Sequence, residues 1–355
     1  MSRIYLDHAA MTPILPQARA AMAEAMERWA NPSSPHAEGR AARAALEVAR
    51  GTIAEALGWR HDVILTSGAS EAVAISAGRA LVPGRVLGAT EHEIVPFAMG
   101  EGARVLPVDA DGGIDLDALD AALADSPSLI AVQQVNNETG VIQPLAEIAA
   151  RVRAAGSLLL ADCAQGAGKI DLPEADFIAV SAHKLGGPPG VGALLVRDLA
   201  TLAPSGGQER GYRRGTQDVP AAAGFAAALA SGAVREAMPR LAGLRARLDA
   251  GVRAAGGVVI ADGAERIVTI GGIALPGASG AGLLVQLDLA GFAVSLGSAC
   301  SSGSMKSSRV LAAMGVAPEI ADGTIRVSFG TSTSEAEVEA FLAAWTRIAE
   351  RARAA

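Results

Sequence analysis

The chain contains few cysteines and few lysines. Two cysteines in 355 residues exclude a disulfide framework and fit a reducing compartment. Only three lysines are present, and arginine supplies the remaining positive charge. A chain that avoids lysine to this degree is expected to have a reason for keeping one at position 184. The three are Lys169, Lys184 and Lys306.

Basic charge and long apolar runs are also scarce. A net charge of −7 disfavours general nucleic-acid binding, which depends on basic patches that neutralise phosphates. Half of the residues are hydrophobic, but only 3% are aromatic, which indicates alanine-rich helical packing. No apolar run reaches the length of about eighteen residues that a membrane span needs, and residues 1–7 lack a signal-peptide pattern. We therefore expect a cytoplasmic protein that binds neither membranes nor nucleic acid directly.

Lys184 has the surroundings that a Schiff-base lysine needs. It lies in Ser-Ala-His-Lys-Leu-Gly-Gly-Pro-Pro-Gly-Val-Gly, residues 181–192, between hydrogen-bonding side chains and a glycine-proline loop. A lysine amine can be deprotonated by its surroundings and condense with an aldehyde, whereas a guanidinium group cannot. The alternative is an ordinary exposed loop lysine.

An acid is predicted to lie close to this lysine. Asp162 directly follows the apolar run 157–161, and the run 177–180 leads in the same way into the Lys184 segment. Both runs are typical of buried parallel strands, and open α/β sheets bind ligands at the carboxyl ends of their strands. A lysine that forms an imine and an acid that keeps a ring nitrogen protonated are the groups that pyridoxal phosphate (PLP) chemistry requires.

The segment 66–72, Thr-Ser-Gly-Ala-Ser-Glu-Ala, offers donors for a cofactor phosphate. It follows the strand predicted at residues 63–65 and opens a helix, where unpaired amides and the helix dipole favour an anion. The same residues also fit a helix start that binds nothing. The sequence has neither a P-loop nor a Rossmann glycine pattern, which argues against a nucleotide.

Strands and helices alternate through the first two-thirds of the chain. That order predicts an α/β fold with a mainly parallel sheet covered by helices on both faces. A long helical stretch at residues 233–254 is followed by a smaller α/β set from residues 266–270 through 283–288 to a helix at 335–351. Since 355 residues exceed one ordinary core, two domains are expected, with a boundary inside that long helical stretch. The strands of the first part are predicted at residues 63–65, 85–87, 104–108, 129–135, 158–161, 177–180 and 193–196, and the helices at 16–28, 38–57, 116–123 and 145–154.

The two cysteines differ in their surroundings. Cys163 adjoins Asp162 at a strand end and is interpreted as a small buried residue that fills space. Cys300 lies in Ser-Leu-Gly-Ser-Ala-Cys-Ser-Ser-Gly-Ser, residues 295–304. A segment of such small residues is typical of a mobile loop, which could carry a thiol into an active site and out again.

Seven motifs, in order and spacing, resemble the class V aminotransferase-like PLP enzymes and, among them, the cysteine desulfurases of the IscS/NifS type. The resemblance runs from residue 5 to residue 330 and implies PLP-dependent transferase fold type I. It implies a large PLP-binding domain at residues 15–237 and a small domain formed by residues 1–14 and 238–355, which carries the Cys300 loop. The motifs are residues 66–71, 91–92, 135–140, 162–165, 181–184, 210–216 and 297–300.

The resemblance also implies a role for each site residue. Lys184 binds the cofactor, Asp162 faces its ring nitrogen, and Arg326 takes the substrate carboxylate, a task that suits the planar guanidinium fork. The other implied roles are ring stacking and proton transfer by His92, a place beside cofactor and substrate for Asn137, a hydrogen bond to the ring oxygen from Gln165, phosphate binding by Ala69, Ser70, Ser181 and His183, and contact of Thr216 with the phosphate in a partner subunit. No metal is assigned.

The implied reaction converts L-cysteine to L-alanine in a homodimer, with a persulfide formed on Cys300 for transfer to an acceptor protein. There are three alternatives: a selenocysteine lyase, some other class V PLP enzyme, or a non-catalytic sulfur-relay subunit. The acceptor is left open among iron–sulfur cluster assembly, tRNA thiolation and other pathways. Met11 and Ala72 depart from the family pattern near the site, and the chain ends at Ala355, whereas longer members carry a tail that docks the scaffold protein.

Overall fold

The computed structural model describes residues 3–297 and 308–354, the last of these for its backbone only. Its strands are β1 (Ile4–Tyr5), β2 (Asp62–Thr66), β3 (Gly84–Gly88), β4 (Arg104–Leu106), β5 (Ser128–Gln133), β6 (Leu158–Asp162), β7 (Phe177–Ser181), β8 (Gly192–Val196), β9 (Val258–Val259), β10 (Ile270–Ala274), β11 (Phe292–Ala293) and β12 (Thr324–Ser328).

Helices separate most of these strands. They are α1 (Pro16–Glu27), α2 (Ala37–Ala56), α3 (Ala69–Arg79), α4 (Ile94–Met99), α5 (Leu116–Leu123), α6 (Leu145–Ala154), α7 (Val219–Ala230), α8 (Ala233–Ala254), α9 (Gly280–Leu289), α10 (Arg309–Ala313), α11 (Pro318–Ala321) and α12 (Glu335–Ala354). Among the described helices, none combines the length and the apolar character that crossing a membrane requires.

The largest sheet has seven strands in the order β2-β8-β7-β6-β5-β3-β4. The five strands β3 to β7 run parallel, and β8 is antiparallel to both of its neighbours, β2 and β7. The mainly parallel sheet predicted from the alternation of strands and helices is therefore confirmed. Parallel strands place their carboxyl ends along one edge, where β6 ends at Asp162 and β7 at Ser181.

Alternate residues of the central strands point into two different apolar cores. Ile130 and Val132 of β5 belong to the core under α2, α5, α6 and α7, whereas Leu129 and Ala131 belong to the core under α3 and α4. The period-two geometry of a strand explains this division, and burial on both faces explains why these strands are continuously apolar in sequence. The sheet is thus covered on both sides by helices.

The carboxyl-terminal third forms a separate apolar core. It is built on the antiparallel sheet β12-β10-β9 and on α8, α9 and α12, with Trp345 and Phe341 fully buried at its centre. Leu6 from the amino terminus belongs to this core, and β1 pairs in parallel with β11. The predicted domain boundary, between residues 237 and 238, lies inside α8 and stays a prediction.

Candidate active site

A cavity of about 450 Å³ lies at the carboxyl edge of the large sheet. Parallel α/β sheets bind ligands at this edge, and the cavity gathers most of the side chains that the sequence singled out. Gly297 and Arg326 reach it from the carboxyl-terminal third. The predicted residues that line it are Ala69, Ser70, His92, Asn137, Asp162, Gln165, Ser181, His183, Lys184 and Arg326.

Asp162 ends β6 inside this cavity and is 9% exposed. Burial raises the pKa of its carboxyl, whereas a hydrogen bond from the Ala164 amide and the positive charges of His92 and Lys184 act in the opposite direction. A protonated ring nitrogen placed beside it would favour the ionised form further. The acid therefore suits a cationic heterocycle better than it suits an empty apolar pocket.

Lys184 lies in a short 3₁₀ turn, Ala182–Lys184, that directly follows β7. Its Nζ donates to the carbonyl oxygen of Ala9 at 2.6 Å and to that of Ala10 at 3.0 Å. The amino-terminal segment is fixed here from several sides, because Thr12 hydrogen-bonds to the carbonyl oxygens of both His183 and Lys184. The Lys184 amine is thus positioned by two backbone carbonyl groups.

One end of the cavity is built to accept an anion. Gly68 precedes α3, whose first turn has no capping side chain, and the hydroxyl of Ser181 lies 2.9 Å from Nδ1 of His183. Gly192 of β8 packs closely against this turn. Only glycine fits there, because a Cβ atom at position 192 would lie 2.7 Å from the Cα of Gly68. Backbone amides at a helix start together with hydroxyl and imidazole groups are suitable phosphate ligands.

Burial also affects the imidazole of His183. It lowers the pKa of His183 to about 4, and the charge of Lys184 contributes to the shift. The ring is therefore neutral at physiological pH, and a neutral imidazole can donate one hydrogen bond and accept another.

Gln165 supplies a direct test of whether the cavity fits PLP. Its Nε2 donates to the carbonyl oxygen of Ala9 at 2.9 Å, but its buried Oε1 has no hydrogen-bond partner among the described residues. A buried polar atom of this kind needs a partner, and the cavity that it lines has room for one. Together with Asp162, Lys184 and the anion-binding end, this atom makes the donor and acceptor set fit PLP.

Arg326 approaches from β12 and is 5% exposed. Its Nη2 donates to Oδ1 of Asp7 at 2.9 Å and its Nη1 to the carbonyl oxygen of Asn137 at 3.0 Å. The buried Nε has no hydrogen-bond partner among the described residues. Because Arg326 and Lys184 line the same cavity, a charged guanidinium group borders the space next to the lysine amine.

His92 lines the cavity together with Gln133 and Asp162. Its Nδ1 lies 3.4 Å from the amide nitrogen of Ile94, which donates to it. The preceding residue, Glu91, is buried and accepts a hydrogen bond from the amide of Gln133 at 2.8 Å. Burial raises the pKa of Glu91 well above its usual value.

The cavity lining does not include every predicted site residue. Thr216 is exposed on the segment between the 3₁₀ turn Glu209–Gly211 and α7, so it does not contact the cavity of its own chain. Cys300, the predicted persulfide residue, lies outside the described residues, and only the neighbouring Gly297 is seen at the cavity. Cys163 is fully buried, and burial raises the pKa of its thiol well above the usual value, which fits its interpretation as a structural residue.

Several residues at the site were not assigned a role from the sequence. Asp7 contacts Arg326, and the carbonyl groups of Ala9 and Ala10 contact Lys184. Lys169 is not part of the cavity lining but is buried, and burial, with a contribution from the charge of Lys184, lowers its pKa to about 7. The scarcity of lysine was a signal for Lys169, whereas a backbone carbonyl leaves no signal in a sequence.

Comparisons with known proteins identify the family of this chain. Residues 4–341 match the model of the family described as aminotransferase class-V, so the chain belongs to that family. A protein named "Cysteine desulfurase" from Cereibacter sphaeroides is 37% identical, over 100% of this chain and 97% of the relative. An "IscS-like cysteine desulfurase" from Mycobacterium tuberculosis is 40% identical, over 99% and 97%.

A solved structure shows the same architecture. The crystal structure of a NifS-like protein from Rickettsia africae superimposes with a TM-score of 0.88 and 30% identity, over 98% of this chain and 99% of that one. The resemblance to cysteine desulfurases, PLP-dependent fold type I and PLP as the cofactor are therefore confirmed.

Proposed function

We propose that this enzyme is a PLP-dependent cysteine desulfurase that converts L-cysteine to L-alanine and places the sulfur on Cys300. The observation that supports this most directly is the convergence of Lys184, Asp162 and Arg326 on one cavity. A non-catalytic relay subunit would not need a lysine, an acid and a carboxylate receptor around one space. The names of the full-length relatives point to the same activity.

Each chain residue has a task in this proposal. Bound PLP supplies an electron sink for charge that develops at the substrate Cα. Lys184 would hold the cofactor aldehyde and, once released by substrate, take the Cα proton on Nζ. Asp162 would keep the ring nitrogen protonated, and Arg326 would bind the substrate carboxylate. His92 would move a proton near the substrate sulfur, which suits an imidazole near neutral pH.

The sulfur step balances without a further reagent. The Cys300 thiolate attacks the substrate sulfur, so that an S–S bond forms and the Cβ–S bond breaks. The electron pair of that bond goes to the carbon fragment, which takes up protons and leaves as alanine. The products are L-alanine and a persulfide on Cys300.

Alanine release from L-cysteine tests the proposal. Purified protein is loaded with PLP, given L-cysteine and a thiol reductant, and compared with Cys300→Ser. We expect alanine from the wild type and little from the variant, with bound PLP retained in both. Equal alanine from both proteins would show a lyase that does not use Cys300. Absence of alanine from PLP-loaded wild type would contradict the proposed reaction, and selenocysteine is then the next substrate to test.

We also propose the assembly and cellular setting that the sequence indicates. Thr216, exposed and away from the cavity of its own chain, would reach the phosphate of a second copy in a homodimer. Residues 15–237 would form the PLP-binding domain, and residues 1–14 with 238–355 the small domain. The scarcity of cysteine supports a cytoplasmic setting, where the sulfur acceptor is a second protein such as an iron–sulfur scaffold or a thiolation enzyme. Light scattering of the cofactor-loaded protein tests the dimer.

A further inference from the structure

The guanidinium group of Arg326 is held by two contacts from distant parts of the chain. Nη2 donates to the Asp7 carboxylate at 2.9 Å, across 319 positions, and Nη1 donates to the carbonyl oxygen of Asn137 at 3.0 Å. The side chain is 5% exposed, so these contacts lie largely out of water. An arginine buried to this extent without a counter-ion would be strongly destabilising, and Asp7 supplies that negative charge.

The two contacts leave part of the guanidinium group available. An arginine presents five N–H donors, and these two contacts use one on Nη1 and one on Nη2. The side chain lines the cavity that also contains Lys184 and Asp162. A carboxylate that enters this cavity would therefore meet charged donors whose orientation is already determined by Asp7 and Asn137.

Asp7 is itself firmly placed. The amide of Leu6 donates to the carbonyl oxygen of Ala293, and the amide of Ser328 donates to the carbonyl oxygen of Leu6, so the chain before Asp7 is tied to two neighbouring segments. The amide of Ala9 donates to the hydroxyl of Ser328 at 2.9 Å, which fixes the chain after it. The Asp7 carboxylate is therefore a rigid reference point for Arg326.

The same segment also positions the lysine. Two residues after Asp7, the carbonyl oxygen of Ala9 accepts a hydrogen bond from Nζ of Lys184 at 2.6 Å. One short piece of chain thus contacts the group that would bind the substrate carboxylate and the amine that would act on the neighbouring Cα. Residues 7–9 therefore contact both functional groups.

We propose that Asp7 is a positioning residue for the substrate carboxylate: it holds the Arg326 guanidinium group in the plane and at the distance that an α-amino acid needs. This inference rests on the proposed function, since it takes Arg326 as the carboxylate receptor. Asp7 does not touch the substrate. It acts through Arg326, so its removal should weaken the binding of ligands that carry a carboxylate and leave the binding of ligands without one unchanged.

L-Alanine and ethylamine test this directly, because they differ only in the carboxylate. The dissociation constant of each is measured with the PLP-loaded protein from the change in cofactor absorbance, which requires no turnover. Asp7→Ala should raise the dissociation constant of L-alanine by about tenfold or more, the equivalent of about 1.4 kcal/mol for a charge-assisted contact. It should change the dissociation constant of ethylamine by less than about twofold. In turnover of L-cysteine the same variant should raise KM more than it lowers kcat.

Matched variants separate the possible outcomes. Asp288→Ala removes another acid that pairs with the amino-terminal segment, through Arg3 at the surface, and should leave both affinities unchanged. Asp7→Asn can still accept the hydrogen bond, so it should bind L-alanine at least about threefold more tightly than Asp7→Ala does. Asp7→Glu serves if Asp7→Ala does not fold, because it displaces the carboxylate by only one methylene group. It should raise the dissociation constant of L-alanine by about threefold or more and leave that of ethylamine unchanged.

Arg326→Lys distinguishes failure of this inference from failure of the proposed function. If Arg326→Lys binds both probes as the wild type does, Arg326 is not the carboxylate receptor, and the proposed function loses that part. If Arg326→Lys weakens only L-alanine while Asp7→Ala and Asp7→Glu do not, the receptor stands and the role of Asp7 is overturned. Equal weakening of L-alanine and ethylamine by the Asp7 variants would also overturn it, because that pattern reports general structural damage.

Discussion

The Nζ atom of Lys184 lies 2.6 Å from the carbonyl oxygen of Ala9, although the two residues are 175 positions apart in the sequence. A second carbonyl oxygen, that of Ala10, lies 3.0 Å away. Carbonyl oxygens accept hydrogen bonds from an ammonium group. This pair therefore holds the amine in the cavity at the carboxyl edge of the sheet, which Asp162 also lines. The position of the amine therefore depends on backbone atoms, which substitutions of side chains on that segment leave in place.

The first prediction concerns which lysine binds the cofactor. Reduction of the PLP-loaded protein with borohydride, followed by proteolysis and mass spectrometry, should find the pyridoxyl group on Lys184 and not on Lys169 or Lys306. Lys184→Arg keeps the positive charge but cannot condense with an aldehyde, so it should release no alanine and should lose PLP on dialysis. A pyridoxyl group on Lys169 in the wild type would contradict this assignment.

The second prediction concerns Asp162. Asp162→Asn removes the only charge that this side chain can offer a ring nitrogen, so kcat/KM for L-cysteine should fall by about 10²–10³, as expected for loss of a preorganised electrostatic partner. The absorbance of bound PLP should shift at the same time. Asp171→Asn is the matched control, because Asp171 is highly exposed and pairs with Arg235 at the surface. A variant with wild-type turnover would remove Asp162 from the mechanism.

The third prediction is a pH dependence of stability that comes from Lys169. Burial lowers its pKa to about 7, whereas an unfolded lysine has a pKa near 10.4. Between these values the unfolded chain binds a proton that the folded chain lacks, so this residue makes stability rise with pH, by at most about 1.4 kcal/mol per pH unit. Below pH 7 both states carry the proton, and the contribution no longer changes.

Two variants reveal this contribution against the background of other titrating groups. Lys169→Met should raise Tm relative to the wild type at pH 7, and the difference should shrink as the pH increases to 9. Lys169→Arg keeps a permanent buried charge, so its Tm should fall further below the wild type over the same range. Parallel Tm curves for all three proteins would show that Lys169 does not titrate in this interval.

The fourth prediction concerns the buried ion pair between Arg50 and Glu209. The carboxylate of Glu209 accepts from Nη1 of Arg50 at 2.6 Å and from the amide of Leu65 at 2.7 Å, and its side chain is completely buried. Glu209→Ala removes the buried counter-charge of Arg50, which keeps only the Val63 carbonyl oxygen and the half-exposed Glu47 carboxylate. It also leaves the Leu65 amide in β2 without an acceptor, so the free energy of unfolding should fall by about 3–5 kcal/mol. Glu174→Ala breaks an exposed pair with Arg153 and should change it by less than about 1 kcal/mol. Urea denaturation measures both, and similar losses would contradict the argument.

The sequence predicts much of the fold and of the site because both depend on local patterns. The apolar run before Asp162 and the run before Lys184 correspond to β6 and β7, which pair in parallel, with Asp162 opposite Ala179. The rule that parallel strands end along one edge was therefore sufficient to bring the acid and the lysine together. The smaller α/β set was predicted to start at residues 266–270, whereas its strand β10 begins at Ile270, because Ile267 bonds instead to the carbonyl oxygen of Gly140.

Non-local contacts could not be predicted in this way. Nothing in the residues around Asp7 or Arg326 indicates that the two form an ion pair, because they are 319 positions apart in the sequence. The antiparallel insertion of β8 between β2 and β7 leaves no periodic signal either, since an apolar strand buried on both faces has the same composition in either direction. The carbonyl groups that accept hydrogen bonds from Lys184 belong to Ala9 and Ala10. An alanine side chain gives no indication that its backbone carbonyl has such a role.

The anchoring of Glu209 has a consequence for assembly. Glu209 and Arg210 adopt left-handed backbone conformations, with φ of 47° and 55°, and the hydrogen bonds of the Glu209 carboxylate keep them there. The residues on either side of Thr216 are tied to the same turn, since the amide of Gly215 donates to Gln208 and the side chain of Gln217 donates to Glu209. The arm that carries Thr216 is thus shaped within one chain. Two copies that associate through it would lose little conformational entropy at this contact, so subunit affinity should be greater than for a loop that folds only on docking.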